Sequence, residues 1–411
     1  MLSLTAGRGR SFDVGLALLA VVLSALLWTV TGTIATNGGQ GWDGSDYAAM
    51  TLHGWDEGTA STALRPVIAL ANRVALVFSE DVVVAYRAMN LVYAALLSLG
   101  LCALMDRYRA SPAEKTLVIV NLFLTIAVAK VYAFYPVTVD LGALAVVTWA
   151  VLAVTSAPAW VAAAAAVVAV LSREFGIAVV AFGIHHDLRR GRPWWQVAGT
   201  YLPALAVFFG WRAVVAARWA TIEGGELLTA ARFMSLVSAW REPVFAAWFA
   251  YYLVTLAGGV GMTVVARAGA AWRALRREPE WLSFSVPVLG AAFVAGADIW
   301  RYLVFLLPAV VVLFLLCARG RLRFNGIDAV LVLSATVITQ RPWQEIDVPL
   351  YFREWFPYYI YTGNIPFQPS VPLWPLWGWR MLAAVGLVAL LAVPFGVRRQ
   401  LAADAPVVPV A

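Results

Sequence analysis

Long runs of apolar residues alternate with short polar connections along the whole chain. A helix needs about 20 mostly apolar residues to cross a bilayer, and about twelve runs reach or approach that length. They cover residues 13–35, 82–105, 116–134, 138–156, 158–172, 174–186, 194–216, 244–267, 282–299, 302–318, 327–340 and 374–397. The pattern predicts an all-α fold, a polytopic transmembrane helical bundle of about 12 (10–13) membrane helices. We expect one transmembrane domain over residues 1–411, with the short runs between 158 and 186 kinked or crossing incompletely.

The composition agrees with a membrane protein rather than a soluble domain. Hydrophobic residues make up 62% of the 411 residues, charged residues only 13%, and the mean hydropathy is +0.79. The formal net charge of +7 could suggest nucleic acid as a partner. However, the basic residues occur in short clusters between apolar runs, as topology signals do, so we predict no nucleic-acid binding.

Basic residues mark one side of the predicted membrane. Lys and Arg in short loops indicate the cytoplasmic side, and the first apolar run follows Arg8 and Arg10. The other basic residues on the same side are Arg107, Arg109, Lys115, Arg189, Arg190, Arg192, Arg267, Arg273, Arg276, Arg277, Arg319, Arg321, Arg323, Arg398 and Arg399. Most acids fall on the opposite side. We therefore expect an integral plasma-membrane protein with both termini cytoplasmic and the first run retained as a helix, not removed as a signal peptide.

Three connections on the predicted outer side are long, and long loops often carry function. They are residues 36–81, 217–243 and 341–373. The first contains an amphipathic stretch that opens at Arg65-Pro66 and is too short and polar to span, which predicts an interfacial helix. The last is rich in Pro, Trp, Tyr and Phe. It fits either an aromatic belt at the lipid headgroups or contact with a lipid-borne or sugar ligand.

An acidic motif follows the first apolar run. Asp43 and Asp46 come just after a Gly-rich turn, at the predicted outer surface, where a carboxylate is partly desolvated yet reaches water. Such a group can act as general base on a hydroxyl or bind a divalent cation such as Mg²⁺ or Mn²⁺. The alternative is a solvated loop acid, or for Asp46 the N-cap of a short helix. Gly44 would let the backbone come close to a ligand.

Charged residues also interrupt several apolar runs, where charge is costly unless it is paired or faces a cavity. Arg87 lies inside the second run, Asp140 opens the fourth, and Arg173-Glu174 splits an apolar stretch. The predicted topology places Asp140, Arg173 and Glu174 on the same side as Asp43. Any one of them could form a structural ion pair, but their convergence favours a shared polar cavity.

Arg301 and Arg65, on the predicted outer side, are candidates for holding phosphate. Arg301, in the turn Asp298-Ile299-Trp300-Arg301-Tyr302, could grip a phosphate in bidentate fashion, with Tyr302 as a further donor. Arg65 could hold phosphate or extend to lipid headgroups. For Arg301 the alternative is a cation at a helix end. His185-His186-Asp187 abuts a basic cluster, which opposes metal binding, so we interpret it as part of a solvated loop.

The order of these motifs resembles the GT-C superfamily of integral-membrane glycosyltransferases. The resemblance rests on short motifs between about residues 13 and 310: Asp43-Gly44-Ser45-Asp46-Tyr47, Arg65-Pro66, Arg87-Ala88-Met89-Asn90, Tyr135-Pro136 with Asp140, Ser172-Arg173-Glu174-Phe175-Gly176, and Arg301-Tyr302. Each motif is weak alone. Their order and their shared side of the membrane carry the likeness.

This resemblance implies transfer of a sugar from a polyprenyl-phosphate-linked donor to a glycan, lipid or protein acceptor at the outer face. It implies Asp43 as catalytic base, with Asp46 as second choice, and donor-phosphate binding by Arg301 and Arg173. The supporting residues are Tyr47, Arg87, Asp140, Glu174 and Asp298. No organic cofactor is expected, and membrane lipid is an expected partner. The alternative function is a transporter or flippase for a lipid-linked or anionic substrate, with Arg87, Lys130, Arg173 and Arg301 along its path.

Overall fold

The computed structural model of the protein describes residues 3–219, 243–294, 299–318, 326–343 and 381–392, and every regular element within these ranges is a helix. We number the α-helices in chain order. The first eleven are α1 Ser3–Thr31, α2 Trp42–His53, α3 Ala60–Ala63, α4 Pro66–Asn72, α5 Val82–Arg107, α6 Pro112–Phe123, α7 Val131–Phe134, α8 Asp140–Ser156, α9 Ala159–Ser172, α10 Ile177–Arg189 and α11 Trp194–Trp219.

The second half of the described chain continues the same pattern. Its helices are α12 Pro243–Thr255, α13 Gly258–Ala266, α14 Ala268–Arg277, α15 Glu280–Val294, α16 Ile299–Leu303, α17 Leu307–Ala318, α18 Gly326–Gln340 and α19 Met381–Ala392. The predicted all-α class is therefore confirmed. Most of the predicted outer loops 217–243 and 341–373 lies outside the described residues.

Local sequence signals fix where the helices begin. Asp81 caps α5 by accepting hydrogen bonds from the backbone N–H groups of Val83 and Val84. Ser111 and Glu114 form a reciprocal capping box at the start of α6, with Pro112 in the first turn. These polar residues satisfy backbone donors that a helix start leaves unpaired. The apolar runs that follow them therefore start as helices at defined positions.

Within the described ranges, three helices are long and apolar enough to cross a membrane: Arg10–Thr31 within α1, and all of α5 and α11. The number rises to five if each of two bent helix pairs counts as one span. Most other predicted runs form apolar helices of 10–17 residues, α8 and α9 among them. The described structure thus has a helix at each predicted run, but it does not establish a bundle of twelve spans.

The two bent pairs break where polar side chains replace the helical hydrogen bonds. α6 meets the segment Ile126–Phe134 at 62°, and Phe249–Thr255 meets α13 at 105°. At the second bend the side-chain amide of Asn121 donates to the backbone oxygen of Ala257 at 2.7 Å, while the N–H of Gly259 donates to the Thr336 hydroxyl at 2.8 Å. The backbone groups exposed by the break are therefore satisfied from α6 and α18.

Three tryptophans fasten the first long connection to the end of α11. The ring of Trp55 lies 4.9 Å from Trp211 and 4.8 Å from Trp219, centroid to centroid. The indole N–H groups of Trp55 and Trp211 both donate to the backbone oxygen of Ala63. That of Trp219 donates to the oxygen of Gly58 at 2.9 Å. We call these three residues the tryptophan clamp; it holds α2, α3 and the start of α4 in place.

The interpretation of His185-His186-Asp187 as a solvated loop is wrong. All three residues lie in α10, which continues to Arg189. His186 is only 8% exposed and stacks on Phe182, and Asp187 accepts a hydrogen bond from Tyr201 of α11 at 3.1 Å. Packing against α11 and α15 extends this helix beyond its apolar run, which the local basic cluster did not reveal.

Candidate active site

Six charged side chains from distant parts of the chain form one alternating series. We call it the ion network, and it runs in the order Asp43, Arg301, Asp140, Arg173, Glu174 and Arg65. Its three carboxylates balance its three guanidinium groups. Because charge is expensive to bury unless it is compensated, this balance explains how the series is tolerated between apolar helices.

Asp140 is the centre of the network. It is the first residue of α8 and is completely buried. Its Oδ2 accepts a hydrogen bond from Arg301 Nε at 2.7 Å, and its Oδ1 lies 2.9 Å from Arg173 Nη1. A helix start also favours negative charge. One carboxylate therefore holds two buried arginines, whose side chains are 5% and 1% exposed.

Asp43 is the exposed end of the network. Its carboxylate oxygen Oδ2 lies 3.1 Å from Arg301 Nη1, and 42% of its side chain is exposed. Burial would raise the pKa of Asp43, but the charge and hydrogen bond of Arg301 outweigh that effect and hold the pKa below its ordinary value. Asp43 is therefore a carboxylate that reaches solvent while a buried guanidinium supports it from behind.

The backbone around Asp43 is fixed by the segment between α7 and α8. The Gly44 N–H donates to the Tyr135 hydroxyl at 3.0 Å, and a Cβ on Gly44 would lie 2.9 Å from the backbone oxygen of Val137. Gly41 has a φ of +79° and leaves no space for a Cβ beside the Tyr135 ring. That Gly44 lets the backbone come close to a ligand stays a prediction; the close approaches seen in the structure are to Tyr135 and Val137.

Arg65 and Glu174 form the other end of the network. Arg65 Nε and Nη2 donate to the two carboxylate oxygens of Glu174 at 2.8 and 2.6 Å, which is the bidentate geometry of the strongest arginine pairs. Arg65 Nη1 donates to the Tyr47 hydroxyl at 2.9 Å. Tyr47 belongs to α2, so the same arginine connects the helix that carries Asp43 to the turn between α9 and α10.

Aromatic rings enclose Arg173. Its guanidinium carbon lies 5.6 Å from the centroid of the Tyr302 ring and 6.0 Å from that of Phe175. The two rings lie 5.0 Å apart. Cation–π contact and the removal of water strengthen the hold of Asp140 on this arginine. Tyr302, which was predicted to donate a hydrogen bond to phosphate, contributes its ring to this enclosure.

The remaining predicted site residues fall in several places. Asp46 accepts a hydrogen bond from the Thr59 hydroxyl at 3.2 Å, which joins α2 to the start of α3. Arg87 lies apart from the network: it donates to the Thr33 hydroxyl and its guanidinium lies 5.8 Å from the ring of Trp28. Asp298 lies outside the described residues.

The three arginines predicted to hold a donor phosphate are all in contact with carboxylates. Arg65 contacts Glu174, Arg173 contacts Asp140, and Arg301 contacts both Asp140 and Asp43. The sequence indicated their shared side but not these pairings. A phosphate that reaches Arg301 would have to replace Asp43, the more exposed of its two partners.

The described residues do not favour a metal site in the network. They contain no group of three or more His, Cys, Asp or Glu side chains close enough to hold an ion. The positive charge of Arg301 beside Asp43 also opposes a divalent cation at that carboxylate. We therefore assign no step to Mg²⁺ or Mn²⁺.

Two residues with a place at the site were not among the predicted site residues. Tyr135 sets the position of α2, and only its place in the Tyr135-Pro136 motif hinted at a role. Arg212 of α11 interacts electrostatically with Glu174 and Arg65. An arginine inside a spanning run was the signal that could have revealed it.

The fold and the ion network together define a helical protein that has apolar helices long enough to cross a membrane and a buried, charge-balanced polar site. Comparisons of the chain with protein-family models, curated proteins and solved structures give no match.

Proposed function

We propose that the protein is a membrane glycosyltransferase that moves a sugar from a polyprenyl-phosphate-linked donor to an acceptor hydroxyl at the outer face of the plasma membrane. One observation carries the proposal: Asp43, the most exposed carboxylate of the ion network, has the buried guanidinium of Arg301 3.1 Å behind it. A base and a phosphate-binding cation at that spacing are the two groups that such a transfer needs. The sidedness of the basic residues supports an outward-facing site.

The reaction follows from the arrangement. Asp43 takes the proton of the acceptor hydroxyl as that oxygen bonds to the anomeric carbon of the sugar. The bond between the anomeric carbon and the phosphate oxygen breaks, and the phosphate leaves with the electron pair. Arg301 stabilises the negative charge that develops on this leaving group. Asp140 keeps the Arg301 guanidinium in place because it accepts from Nε, leaving Nη1 directed at Asp43.

Binding of the sugar donor also changes the pKa of Asp43, the proposed base. In the structure Arg301 holds the pKa of Asp43 low, which makes Asp43 a weak base. A donor phosphate at Arg301 Nη1 would compete with Asp43 and offset the charge of the guanidinium. The pKa of Asp43 would then rise, since burial alone raises it. Asp43 thus becomes a stronger base only when the donor is present.

The test uses the purified full chain in vesicles with a radiolabelled polyprenyl-phosphate sugar and a panel of acceptors. Asp43→Asn should lower the rate of transfer at least about 100-fold, the usual effect of losing a general base. Asp56→Asn is the matched control, because Asp56 is an exposed acid in the same connection with its oxygen 3.7 Å from Arg218. Transfer that survives replacement of both Asp43 and Asp46 by Asn would refute the proposed role.

A second candidate, a transporter or flippase for an anionic or lipid-linked substrate, is favoured by the two bent helix pairs. Broken membrane helices form the binding sites of many transporters, and here two breaks lie near a polar junction of Asn121, Thr336 and Gln340. Movement of a fluorescent lipid-linked sugar across a sealed bilayer, with no covalent product, would favour this function over sugar transfer.

A further inference from the structure

Arg212 lies at the border between the buried and the exposed faces of α11. The buried face includes Tyr201, Ala204, Val215 and Trp219. On the exposed side are Leu202, Phe209 and Val214, which are 50–64% exposed. Since α11 is apolar enough to span and only 22% of its spanning window is buried, this helix offers a wide face to lipid. Arg212 is therefore a cation that lipid molecules can approach from the side.

The charge of Arg212 has no close carboxylate within the described ranges, where no acid lies within 4 Å of it. Its guanidinium carbon lies 4.5 Å from the Phe208 ring centroid, and its charge interacts with those of Glu174 and Arg65. Both oxygens of Glu174 already accept from Arg65. Arg212 thus adds a positive charge beside a pair that is complete without it.

The depth of Arg212 makes this charge unusual. It lies seven residues before Trp219 in α11, which corresponds to about 10 Å along a helix. A cation at that depth is costly in hydrocarbon unless it meets an anion or reaches water. Arg218, six residues later on the same helix, is instead 61% exposed and lies 3.7 Å from Asp56.

We propose that Arg212 is a docking site for the phosphate group of a membrane lipid, which enters sideways from the bilayer at the junction of α11 and α3. Arg65 lies directly after α3, but its charge is already balanced by Glu174, so Arg212 supplies the positive charge of this site. Arginine suits phosphate because its planar fork forms two parallel hydrogen bonds to the oxygens. The proposal does not depend on glycosyl transfer. If that function holds, the docked lipid is the donor before it reaches Arg301.

Binding of radiolabelled polyprenyl phosphate without sugar tests the proposal. The full chain is placed in nanodiscs of neutral phosphatidylcholine, and retained lipid is measured by filtration and by native mass spectrometry. Arg212→Gln should weaken binding at least about tenfold, equivalent to about 1.4 kcal/mol, whereas Arg212→Lys should weaken it less. Arg218→Gln is the matched control and should bind as the wild type does. Wild-type binding by Arg212→Gln, or an equal loss in both variants, would overturn the proposal.

Competitors identify the chemistry that the site recognises. Phosphatidic acid should compete with polyprenyl phosphate, because both carry a phosphate monoester on a lipid. Inorganic phosphate and unphosphorylated polyprenol should not compete. Full competition by inorganic phosphate would rule out entry from the bilayer, and full competition by polyprenol would rule out recognition of phosphate. The assay contains no sugar, so loss of binding in Arg212→Gln and absence of glycosyl transfer are separate results.

Discussion

At the scale of single residues, Asp140 decides whether the network is stable. Its two carboxylate oxygens serve different buried arginines, so its negative charge compensates both Arg173 and Arg301. Removing one partner of a buried ion pair is more damaging than removing the whole pair, because the remaining charge stays buried without compensation.

Asp140→Asn should therefore lower the free energy of unfolding by about 3–5 kcal/mol. The comparison is Asp106→Asn, since Asp106 is 53% exposed and its partner Lys115 also contacts Asp13. That change should cost less than about 1 kcal/mol. Thermal or denaturant unfolding of both variants in the same detergent gives the measurement. Equal stabilities would show that Asp140 does not hold the two arginines together.

The pairing of Asp43 with Arg301 should make a stability contribution that depends on pH. The pKa of Asp43 is lower in the folded protein than the value of 3.8 for a free side chain, so the folded state binds fewer protons. The contribution is present above the unfolded pKa and is lost as pH falls through the lowered folded pKa. Because Asp43 is 42% exposed, it should be no more than about 1 kcal/mol.

The measurement is the difference in melting temperature between the wild type and Asp43→Asn from pH 3 to pH 7. We expect a constant difference from pH 5 to 7 that shrinks below about pH 4. A difference that already falls between pH 7 and pH 5 would mean that the pKa of Asp43 is raised, not lowered.

The sequence predicted which charged residues share a side of the molecule but not how they pair. Counting basic residues in loops placed Asp43, Asp140, Arg173 and Glu174 together, because topology depends on position along the chain. Which arginine meets which acid depends on helix rotation and on long side chains that reach several ångströms. The 3.6-residue pattern does not contain that information, and it gave no sign that Arg65 binds Glu174.

At the scale of elements, the tryptophan clamp determines where α2 and α3 lie relative to α11. Aromatic rings fill space and their N–H groups hold backbone oxygens, so each indole contributes both packing and a hydrogen bond. Since Arg65 follows α3 and Asp43 lies in α2, the clamp also holds the two ends of the network close to the helices that carry the rest.

Two substitutions separate these contributions. Trp219→Phe keeps a ring but loses the bond to Gly58, and should cost about 1 kcal/mol. Trp219→Ala also removes the packing and should cost about 3–5 kcal/mol. The latter should speed proteolytic cleavage within residues 54–59, while Trp160→Phe, at a site 74% exposed, should change neither stability nor cleavage. Unchanged cleavage in Trp219→Ala would show that the connection is held elsewhere.

Hydrophobic runs predicted the helices well and their bends poorly. The sequence pattern predicts kinks only between residues 158 and 186, yet the runs at 116–134 and 244–267 are each broken. At the second break, the freed backbone groups form hydrogen bonds to Thr336 and Gln340, which are remote in the sequence. Long-range partners of this kind are absent from any local pattern.

At the scale of the whole molecule, the apolar runs and the described helices support different numbers of membrane spans. The apolar runs predict about 12 helices, whereas length and hydropathy together support three to five spans in the described chain. Helices shorter than a bilayer can still cross it if they are tilted little or sit where the bilayer is thin. Which side of the membrane each connection faces can be tested directly, by labelling chosen positions.

Single cysteines provide that test, after the buried Cys102 and Cys317 are replaced by alanine. A cysteine at the exposed position of Ser61 should react with a membrane-impermeant maleimide in intact cells. One at the exposed position of Arg190 should react only after the membrane is opened. Labelling of the Arg190 position in intact cells would reverse the predicted orientation and place the ion network on the cytoplasmic side.

The sharing of Asp140 by two arginines also constrains how this sequence can drift over evolutionary time. A change at position 173 or 301 alone leaves an excess negative charge in a buried place, and a change at 140 alone leaves one excess positive charge shared by two buried arginines. Each single step is selected against unless a second step follows. We therefore expect positions 140, 173 and 301 to covary as a triplet among homologues, and to be lost or kept together.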